Sequence, residues 1–235
     1  MSDAESLPIL LIPGLGCTAR LYTEQLPALW TFGPVTIADH RRADSMDAIA
    51  RQILDDAPPR FALAGLSMGG YIALAIMRLA PERVAKLALL DTGSRADTPE
   101  AAERRKASIA LARAGKLEAI NAMLWPVLVH EDRHDDAVLK KIAGDMTLAA
   151  GADAFVRQQI AILNRPDSRP GLPAIKCPTL VLVGDGDQLT PPALSEEMAG
   201  LIPGSRLVMV PDCGHLSTLE RPDAVTQALV EWMRG

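Results

Sequence analysis

Aromatic residues are scarce: Phe, Trp and Tyr make up 3 % of 235 residues, so the core must be built from Ala, Leu, Val, Ile and Met. Cysteine is equally sparse. Cys17, Cys177 and Cys213 are odd in number and lack the spacing of a metal knuckle. They suit free thiols in a reducing cytoplasm, one of which could be a redox group, and no metal ligands are expected. No run is long enough to span a bilayer, since Leu7–Ile12 falls far short. Met1–Ser6 holds Asp3 and Glu5 and lacks the positive charge of a signal peptide. Cytoplasmic residence without a membrane partner is therefore expected. Basic residues are scattered and the net charge is −5, which argues against a nucleic-acid partner.

What is present is ordinary for a globular protein: 49 % apolar and 23 % charged residues, enough for one large domain or a core with an insertion. Four strongly apolar runs end in glycine or polar turns: Ile9–Ile12, Phe61–Leu66, Val84–Leu90 and Thr179–Val183. Weaker ones are Pro34–Ala38 and Arg206–Val210. Runs apolar on both alternating faces mark strands of a parallel sheet covered by helices. Helical spacing follows at Met46–Ala57, Met68–Leu79, Pro192–Leu201 and Ala224–Met233. The alternation predicts an α/β fold, a doubly wound, mostly parallel sheet of about six strands. From Arg95 to Arg165 no strand is predicted, and helices are expected over Pro99–Ala114, Leu117–Val129, Asp136–Ala149 and Ala152–Asn164. Pro126 is expected to kink or shorten the second of these. Residues 96–165 therefore read as a helical cap inserted into a core of residues 1–95 and 166–235.

The chemistry centres on Gly65-Leu66-Ser67-Met68-Gly69-Gly70, a strand-to-helix turn with one serine at its apex. Such turns also serve packing alone, so partners decide. A serine hydroxyl needs a base to take its proton. His215 follows the last strand and shares the carboxyl edge of the sheet with Ser67, although a lone loop histidine is more often only a surface residue. His40 lies beside Arg41 and Arg42, and His130 and His134 flank an acidic turn; all three are poorer candidates. The acid that orients the base is sought after Leu180–Val183, where Asp185 and Asp187 follow Gly184. Asp187 is favoured, Asp185 could instead bond its own turn, and Asp91 is a third choice. Oxyanion donors are expected from the Met68 amide at a helix N-terminus and the Leu15 amide in Pro13-Gly14-Leu15-Gly16-Cys17. The same glycines would also suit a plain turn.

The order Ser67, Asp187, His215, each past a strand, resembles the α/β-hydrolase superfamily over essentially the whole chain. The matching segments are Gly65–Gly70, Leu180–Val183 with Gly184-x-x-Asp187, and Cys213-Gly214-His215 followed by Leu219-Glu220-x-Pro222. The chain is most similar to small capped esterases and lactonases, those grouped with 3-oxoadipate enol-lactonase and the pimeloyl-ester esterase of biotin synthesis. The resemblance implies Ser67 as nucleophile, His215 as base, Asp187 as acid, the Leu15 and Met68 amides as oxyanion hole, and no cofactor. Two departures stand out. Many relatives carry His-Gly where this chain has Pro13-Gly14, which leaves the bracing of the oxyanion loop to the fixed backbone of Pro13. The leading antiparallel strands of the family are also expected to be missing.

Substrate is expected between sheet edge and cap, lined by Leu15, Met68, Met123, Leu124, Trp125, Leu128, Phe155, Leu189 and Leu216. This lining suits a small to medium, largely apolar acyl group in an ester, lactone or thioester, although Trp125 and Phe155 equally suit packing between helices. Arg20, Arg41, Arg95 or Arg157 could bind a substrate carboxylate. Alternatives are a C–C hydrolase or lyase or an acyltransferase on the same triad, and, less favoured, a non-catalytic small-molecule-binding protein. Whether the chain is a monomer or homodimer is left open by the sequence.

Overall fold

The computed structural model describes residues 6–235; residues 1–5, and with them the expectation of no targeting signal, lie outside it. Six strands form one sheet: β1 (Ile9–Ile12), β2 (Val35–Ile37), β3 (Phe61–Leu66), β4 (Val84–Leu90), β5 (Thr179–Gly184) and β6 (Arg206–Val210). Their order is β2-β1-β3-β4-β5-β6 and every pairing is parallel. Side chains alternate across a strand, so each apolar run feeds two cores. Ile9, Leu11, Ala62, Ala64, Ala88, Leu90, Leu180 and Leu182 join one core, and Leu10, Ile12, Phe61, Leu63, Leu87, Leu89 and Val181 the other.

Helices cover both faces. The first core is closed by α1 (Leu26–Leu29) and α10 (Pro222–Arg234), the second by α2 (Met46–Asp56), α3 (Met68–Leu79) and α8 (Pro192–Leu201). In α10, Val225, Ala228, Leu229, Trp232 and Met233 are buried, a one-sided stripe that fits a helix lying on a sheet. Helix α3 is different: every residue from Met68 to Met77 except Tyr71 is buried.

Between β4 and β5 lie four longer helices, α4 (Pro99–Arg113), α5 (Leu117–Leu128), α6 (Ala137–Ala150) and α7 (Ala152–Leu163). The two ends of this helical segment are tied together by Asp97, which accepts hydrogen bonds from Arg105 and Arg165. The Arg165 guanidinium stacks over the Tyr71 ring at 4.2 Å, where a cation gains from the ring's negative face. The short helix α9 (Ser217–Glu220) completes the set. Helix α5 runs on past Pro126 and ends two residues later, at Leu128. The proline lacks the N–H that would bond the Ala122 carbonyl one turn back, and its own carbonyl accepts from His134 Nε2 at 3.0 Å.

The sheet order places the chemistry. The chain runs outward from β1 to β2 and then returns to β3 on the other side, so the switch point lies between β1 and β3. Ligands of open α/β sheets bind beyond the carboxyl ends of strands at such a point. The loop after β1 and the turn after β3 meet there, with Ile12 paired to Gly65.

Candidate active site

Ser67 follows β3 with φ 56° and ψ −116°, a strained conformation for a residue bearing a side chain. The turn closes because its flanks are glycine. A Cβ on Gly65 would strike the Gly69 carbonyl, and one on Gly69 would strike the Ile12 carbonyl. The Ser67 carbonyl accepts from Thr92 Oγ1 at 2.8 Å, and its amide donates to Leu90 O at 2.9 Å.

His215 Nε2 lies 2.8 Å from Ser67 Oγ, and its Nδ1 lies 2.8 Å from Asp187 Oδ2. The Asp187 carboxylate only accepts, so Nδ1 carries the proton and Nε2 is left to accept from the serine. Asp187 is held by the Leu189 and Thr190 amides on Oδ1, at 2.8 and 2.9 Å, and by Thr190 Oγ1 on Oδ2 at 2.6 Å. Burial opposes charge on both partners, yet their attraction and shared hydrogen bond win. The His215 pKa is raised above the ordinary histidine value, and that of Asp187 is lowered.

The two other aspartates have different work. Asp185 accepts from the Cys213 amide at 3.2 Å. Asp91, fully buried, accepts from the Gly184 amide at 3.0 Å and is bonded by the Ser217 hydroxyl. Burial and the neighbouring charge of Asp187 push the Asp91 carboxyl well above the usual carboxylate range.

The loop bearing His215 is gripped by Glu220, whose grip the local sequence pattern does not reveal. Its carboxylate accepts from the Gly214, Leu216 and His130 amides at 3.1, 3.0 and 2.8 Å. The His215 amide donates to Leu128 O at 3.1 Å, so the end of α5 props the base.

Neither the Leu15 nor the Met68 amide donates to a protein acceptor among the described residues, as suits two donors kept for a ligand oxygen. The bracing of this loop differs from expectation: buried His40 does it, with Nε2 donating to Gly14 O at 2.9 Å. Burial lowers the His40 pKa and favours the neutral ring. Across the loop, the Gly16 amide donates to Oε1 of buried Gln158 on α7 at 3.0 Å. Both contacts escaped the sequence reading. The signal available for His40 was its place just past β2, beside the end of β1.

Of the residues expected to line the site, Leu15, Leu124 and Phe155 share one small apolar cluster, while Leu128 and Leu216 pack in the first core. Met68 is fully buried. Met123 and Leu189 are exposed, at 61 % and 40 %. Trp125 is 4 % exposed and packs among the helices, its indole N–H donating to His134 O at 2.9 Å. The four arginines all have protein partners: Arg20 with Glu24, Arg41 with Asp39, Arg95 with Glu197, and Arg157 with the Arg41 carbonyl. An open groove of about 530 Å³ beside Asp39, Arg41, Arg42 and Arg157 contains none of the triad.

Burial raises the pKa of all three cysteines, that of Cys17 to about 12, which leaves little thiolate for redox chemistry. His130, Asp132 and Asp212 bring one ligand atom each within 4.8 Å, a grouping the sequence reading did not anticipate. No helix among the described residues is long and apolar enough to cross a membrane.

Comparison with known proteins matches residues 31–222 to the alpha/beta hydrolase fold family. A thermophilic esterase from Thermogutta terrifontis superimposes with a TM-score of 0.89 and 34 % identity, covering 97 % of this chain and 89 % of that one. The enol-lactonase from Burkholderia xenovorans LB400 also gives 0.89, at 26 % identity over 100 % of this chain and 94 % of its own. A curated relative, pimeloyl-(acyl-carrier protein) methyl ester esterase of Neisseria meningitidis serogroup C, is 26 % identical over 97 % of this chain and 93 % of its length.

Proposed function

The chain belongs to the α/β-hydrolase family, and from that premise we propose that it hydrolyses a carboxylic ester, lactone or thioester with a small to medium, largely apolar acyl group. One observation carries the reading: the unbroken hydrogen-bond chain from Ser67 through His215 to Asp187, with both links at 2.8 Å. Ser67 Oγ attacks the acyl carbonyl while His215 Nε2 takes the hydroxyl proton. The Asp187 carboxylate keeps Nδ1 protonated and stabilises the imidazolium. Charge on the carbonyl oxygen is met by the Leu15 and Met68 amides, the latter at the start of α3 where the helix dipole also favours an anion. His215 returns its proton to the leaving alcohol, and water attacks the acyl-enzyme by the same route in reverse roles.

Residues 96–165 act as a cap over the core of residues 1–95 and 166–235. Leu15, Leu124, Leu128, Leu216, Met123 and Leu189 contact the acyl group, with Met68 beneath it. Phe155 and Trp125 support this lining from behind, consistent with their burial. The similarity to an esterase, a lactonase and a methyl ester esterase supports an ester or lactone bond.

The test is hydrolysis of p-nitrophenyl esters from acetate to decanoate, together with simple lactones. The wild type should turn over short and medium chains, and Ser67→Ala should reduce kcat by about 10⁵-fold or more. A wild type inert toward every ester and lactone would sink this reading in favour of C–C bond hydrolysis or ligand binding.

A further inference from the structure

We infer that His40 and Gln158 are a two-sided clamp that aims the Leu15 amide at the oxyanion, which makes Gln158 a residue through which the helices between β4 and β5 act on the chemistry. This rests on the esterase reading and goes beyond it by assigning two positioning residues that do not touch the substrate carbonyl.

The loop Gly14-Leu15-Gly16 is held at its two ends from opposite sides. His40 Nε2 donates to the Gly14 carbonyl at 2.9 Å from the segment after β2, and the Gly16 amide donates to Gln158 Oε1 at 3.0 Å on α7. Both orientations are fixed by their partners: a carbonyl can only accept and an amide N–H can only donate, so His40 carries its proton on Nε2 and Gln158 presents its oxygen.

The two arms are also joined to each other. Arg41, next to His40, accepts at its carbonyl from Nε of Arg157, next to Gln158, at 2.9 Å. A closed ring results: Gly14, His40, Arg41, Arg157, Gln158, Gly16. Gly16 stands at φ 65°, a left-handed conformation that turns the loop back on itself. Leu15 sits between the two fixed points, and its amide has no protein acceptor among the described residues. Buried polar groups that each hold one point of a loop are expensive to remove and rigidly placed. Gln158 is fully buried and its Nε2 has no acceptor among the described residues, so the side chain is kept in the core at a cost that one loop contact must justify.

Catalysis depends on donors being aimed before charge develops, and a displacement of about 1 Å costs on the order of 10²-fold. A slack clamp should therefore reduce kcat more than it changes KM.

The experiment compares wild type, His40→Leu, His40→Gln, Gln158→Met and the double variant His40→Leu/Gln158→Met. Each is assayed on a p-nitrophenyl ester that the wild type hydrolyses, and for inhibition by an alkyl trifluoromethyl ketone that forms an oxyanion on Ser67. His40→Leu and Gln158→Met should each lower kcat by about 10- to 100-fold with KM within about 3-fold, and ketone affinity should fall in parallel. His40→Gln should stay near wild type, because its side-chain amide can still donate to Gly14 O. The double variant should lose less than the product of the two single losses, because both act through one amide.

Unchanged kcat, intact ketone affinity, a His40→Gln variant as poor as His40→Leu, or fully multiplicative losses would each overturn the clamp. Should His40→Leu not fold, Gln158→Met with hydrogen exchange of amides 14–16 decides: faster exchange at Gly16 supports the clamp, and unchanged exchange overturns it. A wild type inert toward all esters defeats the esterase reading alone, and the same exchange measurement then still judges the clamp.

Discussion

The loops bearing Asp187 and His215 are fastened by carboxylates, whereas the Gly14–Gly16 loop beside them is fastened by neutral hydrogen bonds. Asp187 holds the imidazole and Glu220 holds the backbone of the base loop, each gathering several donors on one carboxylate. The oxyanion loop instead relies on an uncharged histidine and a glutamine amide. The difference follows from what each loop must do. A base that becomes positive during the reaction gains from a nearby negative charge. Donors that await a developing oxyanion would be opposed by one. The two buried histidines accordingly shift in opposite directions, His215 up beside Asp187 and His40 down through burial.

The sharpest way to break the contrast is to neutralise the acid. Asp187→Asn keeps the shape but no longer orders the imidazole tautomer, and kcat should fall on the order of 10³- to 10⁴-fold. An Asp187→Asn enzyme near wild-type activity would mean that another carboxylate supports His215. Removing the other carboxylate should instead appear in stability. Glu220→Gln leaves at least one buried amide poorly satisfied, and urea unfolding should report a loss of about 1–3 kcal/mol.

The histidines supply a pH test. Activity needs neutral His215, so the acid limb of kcat/KM should lie above about 6.5 and activity should rise with pH through it. His40 contributes with the opposite sign. Its folded-state pKa is depressed, so its share of stability is complete above about 6.5 and is lost as pH falls through the lowered value. Imidazole NMR titration should place the His215 resonance above the ordinary value and that of His40 below it. The smallest effect is expected from Asp91→Asn: burial and the neighbouring Asp187 charge raise the Asp91 pKa and so favour its neutral form, which the amide resembles, and kcat should change by less than about 3-fold.

Much of this architecture was legible beforehand. The strands announced themselves because Phe61–Leu66 and Thr179–Val183 are apolar at nearly every position, as two-sided burial demands. The meeting of Ser67, Asp187 and His215 could be read because Ser67 and Asp187 stand just past such runs and His215 follows the weaker run Arg206–Val210. The four helices between β4 and β5 are legible to within a residue or two at their ends, where caps rather than periodicity decide the boundary. Contacts across the fold were not legible. Gln158 meets Gly16 across 142 positions of sequence, and nothing in the local pattern of α7 separates it from a glutamine buried for packing. His40 was set aside as a base on sound grounds, yet its service to Gly14 depends on β2 lying next to β1. Pro13 was given the bracing role because a fixed φ stiffens one residue, but only a hydrogen bond from outside fixes a loop in space.

Every step proposed above depends on Ser67 as the nucleophile, activated through His215. Covalent labelling with an alkyl fluorophosphonate, followed by intact mass and peptide mapping, tests it directly. A single adduct on Ser67, absent in Ser67→Ala and strongly slowed in His215→Ala, is the predicted result. No adduct, or an adduct on any other residue with Ser67 unmodified, would contradict it.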